Sequence, residues 1–214
     1  MPTGLQNFTK TAYFPTLVFQ ASVAGSEALN QKLLDAIYAD RDEDEKGLVK
    51  SNVAALGGWH SGVSIHKAQE YSALVKNVND ATKRLSEELG YSEKTKMKIG
   101  SMWSIVNPPG AMNVAHVHPG CMWSGVYYVQ SPENSGNISF TDPRTVQLMN
   151  QAKFQKGQKR PRDCWTKVNF TPRAGKIIIF PSWLYHSVNV NKSEEKDRAG
   201  NRVIVSFNIS QHNR

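Results

Sequence analysis

The sequence predicts a mainly β domain with flanking helices, an α+β fold. Two observations predict it. From Lys96 onward the chain is a succession of β-branched and aromatic runs punctuated by Gly, Pro and Asn. Before that point two stretches, about 26–39 and 67–89, carry apolar residues at helical spacing. The 214 residues fit one domain, 1–214, with those helices packed on a β core that begins at about 96. A chain of this length can bury a sizeable core.

Residues 13–24 read as an opening strand, with Pro15 near its start. Ser26 is the candidate cap of the first helix, in which Leu29, Leu33, Leu34 and Ile37 share a face. The charged run 40–46 suits a solvated helix end or loop. Residues 51–61 are glycine-rich and read as a loop. Within it His60, beside Trp59, is a candidate pocket residue; neither it nor His66 has a partner at ligand spacing. In the second helix Tyr71, Leu74, Val75, Val78, Ala81, Leu85 and Leu89 form a core-facing stripe that ends at Gly90. In 96–106 the apolar residues change parity around Gly100-Ser101, which predicts a bulge. Asn107-Pro108-Pro109-Gly110 then breaks the strand.

The chemistry concentrates in 107–130, NPPGAMNVAHVHPGCMWSGVYYVQ. His116 and His118 are one residue apart. If the backbone is extended there, both imidazoles point the same way and can grip one metal ion. The alternative is a pair of hydrogen-bonded or exposed histidines. Downstream, the glycine-led run 174–181 ends in Phe180-Pro181, and His186 stands between that strand and the next. Residues 202–209 form a last strand, and an antiparallel hairpin through the polar stretch 191–201 would return Arg202 toward His186. On that strand Arg202, Ile204 and Ser206 share a face.

Asp142, before Pro143, is by default a turn residue; it is also a candidate ligand or a partner for a histidine N–H. Arg144 pairs with Asp142 or meets an anionic substrate, and Trp123 is a further candidate for substrate contact or ligand support. Residues 145–171 carry Lys153, Lys156, Lys159, Arg160, Arg162 and Lys167 around Phe154 and Trp165, without a strong period. The stretch reads as a mobile loop or a lid. Basic residues interleaved with aromatics also suit nucleic acid, a reading no accompanying motif favours.

The formal charge of +8 points to anionic partners or substrates. Cys121 and Cys164 make no disulfide framework, which suits a reducing compartment. With neither a long apolar segment nor a charged-then-apolar start, the expectation is a cytoplasmic protein without a membrane partner.

Over its C-terminal half the chain resembles the iron(II)/2-oxoglutarate-dependent dioxygenases of the prolyl-4-hydroxylase-like kind. The resemblance rests on His116-Val117-His118, the run 126–129, Gly136 to Phe140, Gly175 to Pro181, His186 and Arg202. It implies a double-stranded β-helix, or jelly roll, with the helices behind the larger sheet. It also implies iron(II) on His116, His118 and His186. Arg202 would anchor the far carboxylate of 2-oxoglutarate, with Ser206, Asn107 and Tyr128 as weaker contributors. The substrate would be a small molecule or peptide, hydroxylated with O2, with succinate and CO2 as co-products. The chain departs from the family pattern at His118, where the family has a carboxylate; either three histidines or Asp142 completes the triad.

Two other readings compete. A cupin-like metal enzyme shares the jelly roll, the His-x-His and the distal His, but it leaves Arg202 without a task and needs a glutamate that is absent here. A non-enzymatic nucleic-acid-binding module rests on the charge and the basic loop, and leaves the histidines without a task.

Overall fold

The computed structural model describes residues 8–47, 57–144, 149 and 152–213. In chain order the regular elements are β1 (Phe19–Ser22), α1 (Ser26–Glu43), β2 (Trp59–His60), α2 (Ser72–Glu88), β3 (Thr95–Asn107), β4 (Asn113–His116), β5 (Trp123–Gln130) and β6 (Ile138–Thr141). They continue with β7 (Lys167–Phe170), β8 (Lys176–Pro181), β9 (His186–Val188) and β10 (Arg202–Asn213). The larger sheet has the order β1-β8-β5-β10-β3-β2, and the smaller β4-β9-β6-β7. All the strand pairings are antiparallel.

Strand alternation divides the larger sheet into two apolar faces. Val203, Val205, Phe207 and Ile209 of β10, with Met102, Val106, Tyr127, Ile177 and Ile179, meet Leu33 and Ile37 of α1 and Leu74, Val78 and Leu85 of α2. The opposite face, with Trp103, Ile105, Val126, Tyr128, Ile178 and Ile204, packs on Ile138, Phe140 and Val188 of the smaller sheet. The chemistry lies in this second layer. Gly125 serves the first: a Cβ there would run into the Phe207 ring, so only glycine lets that ring lie on β5.

Several boundaries differ from expectation. The opening strand is confined to Phe19–Ser22, where it pairs with β8; Tyr13 and Phe14 lie outside it, exposed. Ser26 is the first helical residue rather than the cap; Gly25, at φ 61°, holds the cap position and makes the turn into α1 without a side-chain cap. That helix runs on through Glu43. The 67–89 stripe begins in two 3₁₀ turns, Ile65–Lys67 and Gln69–Tyr71, before α2 starts. The bulge lies at Gly100: Asn208 faces Ser101 and Ile209 faces Ile99, so Gly100 is skipped. His60 is on a strand; 51–56 lie outside the described residues, as do 145–148, 150 and 151 of the basic stretch. The end of that stretch is a strand, β7, held by β6.

The expected β9–β10 hairpin does not form. β9 belongs to the smaller sheet and β10 to the larger, so the chain crosses between layers after Val188. Among the described residues, no helix is long and apolar enough to cross a membrane. Both cysteines are free.

Candidate active site

His116 ends β4 and His186 begins β9, and the two are register partners. His118 lies beyond the strand, where its backbone N–H donates to the Ser182 carbonyl (2.9 Å) at the turn after β8. The three side chains offer ligand nitrogens that all lie within 4.8 Å of one another. Nε2 of His118 is 3.3 Å from Nε2 of His186.

The second ring nitrogen orients two of them. Nδ1 of His116 bonds the Val114 carbonyl (2.7 Å) and Nδ1 of His186 bonds the Leu184 carbonyl (2.9 Å). A carbonyl only accepts, so the proton sits on Nδ1 and Nε2 keeps its lone pair for the shared point. Burial lowers the pKa of His116, and with the neighbouring His116 it brings His118 down to about 4 and His186 down to about 3. All three rings are therefore neutral near pH 7, the form that binds a metal.

The histidines open into a cavity of about 610 Å³ between the sheets. Arg202, Ile204, Ser206 and Asn208 line it from alternate positions of β10. Arg202 is fully buried. Its Nη1 donates to the Ser135 and Asn189 carbonyls, while Nε and Nη2 have no partner. Burial pulls its pKa down to about 10, with Tyr128 opposing, so it stays cationic at neutral pH. Among the described residues no carboxylate pairs with it. A buried charge without an anion is costly, and a cavity with two free guanidinium donors is shaped for an anionic ligand.

The sequence-predicted residues take different places around this cavity. Tyr128 and Ser206 line it. Asn107 stands one step behind: its amide nitrogen donates to Asn113 Oδ1 (2.8 Å), and Asn113 lines the cavity. Asp142 and Arg144 lie elsewhere. Arg144 Nε and Nη2 donate to the two Asp142 oxygens (3.0 and 2.9 Å) in a separate groove, so this carboxylate is not grouped with the histidines. The arginine draws the Asp142 pKa down, against a smaller effect of burial. The expectation for Trp123 is corrected: it packs on Phe19 in the helix-facing core.

The cavity residues Trp103, Ser101 and Asn208 had no assignment from the sequence. Trp103 lies between His60 and His118, with ring centroids 5.7 Å from each. Asn208 accepts from Ser124 Oγ (2.8 Å) and donates to Ser101 Oγ (3.2 Å). The alternation that placed Arg202 and Ser206 on one face reaches Asn208 two residues on, which is the signal that finds it.

A model of the family described as "Putative 2OG-Fe(II) oxygenase" matches residues 101–208, just over half of the chain. The chain belongs to the 2OG-Fe(II) oxygenase family. It is thus an oxygenase, with iron(II) as cofactor and 2-oxoglutarate as co-substrate. No curated protein sequence matches it. Among solved structures it is similar to a prolyl-4-hydroxylase of Pseudomonas putida, at 14% identity and a TM-score of 0.63 over 92% of this chain and 94% of that one. It is also similar to the non-heme α-ketoglutarate-dependent carbocyclase SnoK of nogalamycin biosynthesis, at 12% identity and a TM-score of 0.65 over 93% and 82%. A third is the viral collagen prolyl hydroxylase of Paramecium Bursaria Chlorella virus-1, at 15% identity and a TM-score of 0.55 over 90% and 94%. At these identities the likeness establishes the fold, the double-stranded β-helix.

Proposed function

We propose that this oxygenase hydroxylates a C–H bond of its substrate while 2-oxoglutarate is converted to succinate and CO2. One atom of O2 enters the substrate and the other enters succinate. The observation that carries the reading is Arg202, a buried guanidinium with two free donors, lining the same cavity as three convergent histidines. A cupin-like enzyme without 2-oxoglutarate has no use for that cation.

His116, His118 and His186 would hold the iron, and Arg202 the far carboxylate of the co-substrate, with Ser206 and Tyr128 beside it. Bound iron supplies the activation of O2. The protein's own part is orientation and shielding. The Val114 and Leu184 carbonyls hold two imidazoles in the ligating tautomer. Three neutral imidazoles leave both charges of a divalent ion uncompensated, and with Arg202 this favours a dianionic co-substrate. Gly136 keeps the arginine seated: it has φ 89°, and a Cβ there would come within 2.9 Å of Arg202 Nη1.

A small molecule or an exposed peptide group would enter past Val63 and Val114, cavity residues that are about 40% exposed. It would meet the Ser101–Asn208–Ser124 hydrogen bonds on the wall formed by β3, β10 and β5. Anaerobic addition of iron(II) and then 2-oxoglutarate tests the reading. The expected result is a visible charge-transfer band that needs both. A band that forms equally without 2-oxoglutarate, or none at all, sinks it.

A further inference from the structure

A second groove, of about 670 Å³, lies between the smaller sheet and the segment 10–18. Its walls carry Tyr13, Phe14, Trp165 and Phe170 together with Arg162 and Lys167. Three features set it apart from ordinary surface.

Two of its aromatic rings are uncovered, while Trp165 and Phe170 are half-buried. Tyr13 is 72% and Phe14 91% exposed, and Phe14 holds φ 59°, a backbone conformation that a bulky residue rarely adopts. Strain of this kind clusters at ligand clamps. Its cations are also in surplus. The groove's carboxylates, Asp142 and Asp163, are taken by Arg144 and Lys10. Among the described residues no carboxylate pairs with Arg162 or Lys167. Finally, one wall comes from the end of the chain's most basic segment: 153–167 hold six Lys or Arg against one Asp, a net +5 of the chain's +8, and Arg162, Asp163 and Lys167 of it line the groove. In that segment Arg160 lies 4.2 Å over the Phe154 ring and Arg162 lies 6.0 Å over Trp165.

We propose that this groove binds single-stranded nucleic acid. Unpaired bases offer flat faces to stack on exposed rings, and their phosphates neutralise unpaired cations. An acidic peptide would use the cations but leave Tyr13 and Phe14 in water. A duplex hides its base faces. The groove lies beside the histidine cavity: Phe140 lines the groove, and its ring centroid is 6.1 Å from that of His186. The inference does not depend on the metal or on 2-oxoglutarate.

The test uses the full chain and a short fluorescent oligothymidylate, followed by anisotropy between about 50 and 200 mM salt. Binding that weakens steeply with salt is expected. Arg162→Ala and Lys167→Ala should each lower the slope of log affinity against log salt by roughly 0.7. Tyr13→Ala with Phe14→Ala should weaken binding about fivefold or more with the slope unchanged. These rings are exposed, so their loss leaves the core intact, which a thermal melt checks. His116→Ala should bind the oligonucleotide as the parent does. The absence of oligonucleotide binding would overturn the proposal. So would equal competition by polyglutamate with no effect of the two aromatic substitutions, which would mark an acidic-peptide site. Loss of binding in His116→Ala would move the strand into the histidine cavity and out of the groove.

Discussion

His116 and His186 stand opposite each other across the β4–β9 ladder, with ring centroids 4.3 Å apart. A direct cross-strand pair brings two Cβ atoms close on one face. Two imidazoles 70 residues apart in sequence are thus placed by backbone hydrogen bonds. His118 reaches the same point from the turn, tied to Ser182.

Removing any of these histidines should release the metal. His116→Ala, His118→Ala and His186→Ala should each lower iron affinity by at least the roughly 10–100-fold that loss of a mere supporting residue costs. Iron content after desalting checks this. Full retention in all three would show that the site is misplaced. Asp142→Ala should keep its iron, because Asp142 is bound to Arg144 and not to the histidines.

Arg202→Ala should leave iron binding intact and weaken 2-oxoglutarate by well over tenfold. A buried ligand carboxylate left unpaired costs roughly 2–5 kcal/mol. Lysine should rescue only partly, since it lacks the two-pronged fork. Unchanged affinity for 2-oxoglutarate, measured by anaerobic titration, would remove Arg202 from the site.

Gly136→Ala should destabilise the protein by about 1–3 kcal/mol, through a left-handed backbone and crowding of Asn189, Val190 and Arg202. The same substitution should weaken 2-oxoglutarate while sparing iron, because it displaces Arg202 and leaves the histidines in place. A urea titration and a ligand titration on one sample separate the two effects. Normal stability and normal affinity together would contradict the packing described here.

The metal-free protein should lose stability as the pH falls. In the folded state His118 titrates near 4 and His186 near 3, both below their ordinary value of 6.5. Below about 6.5 the unfolded chain takes up protons that the folded chain refuses, so stability declines through pH 5 toward 4. Above that window both states are neutral at these sites and the effect vanishes. Urea midpoints at several pH values should show the decline, and His118→Gln with His186→Gln should flatten it. An equal slope in the double variant would assign the decline to other groups.

Much of the site was legible from local pattern. Period-two alternation and Gly and Pro punctuation put His116 and His118 on one face, end a strand at Phe180-Pro181 before His186, and give Arg202 and Ser206 a shared face; the roles of His186 and Arg202 came from the resemblance to the dioxygenases. The bulge at Gly100 was legible in the same way, as a change of parity. Two errors were of another kind. Trp123 and Tyr128 are five apart on one strand, so alternation alone puts them on opposite faces; which face holds the site is a tertiary matter. The β9–β10 hairpin failed because proximity in sequence cannot say when a chain changes sheets.

The sequence by itself determined the α+β class, the two helices, the candidate metal residues and the basic stretch. These rest on short-range periodicity and residue chemistry, which each segment carries within itself. The tertiary structure alone decided that two sheets stack so that Arg202 of β10 shares a cavity with His186 of β9. It also decided that Asp142 turns to Arg144, and that Tyr13 and Phe14 line one groove with Arg162 and Lys167. Such relations join residues from different layers. They are set by which apolar faces bury one another, a property of the whole chain and not of any one segment.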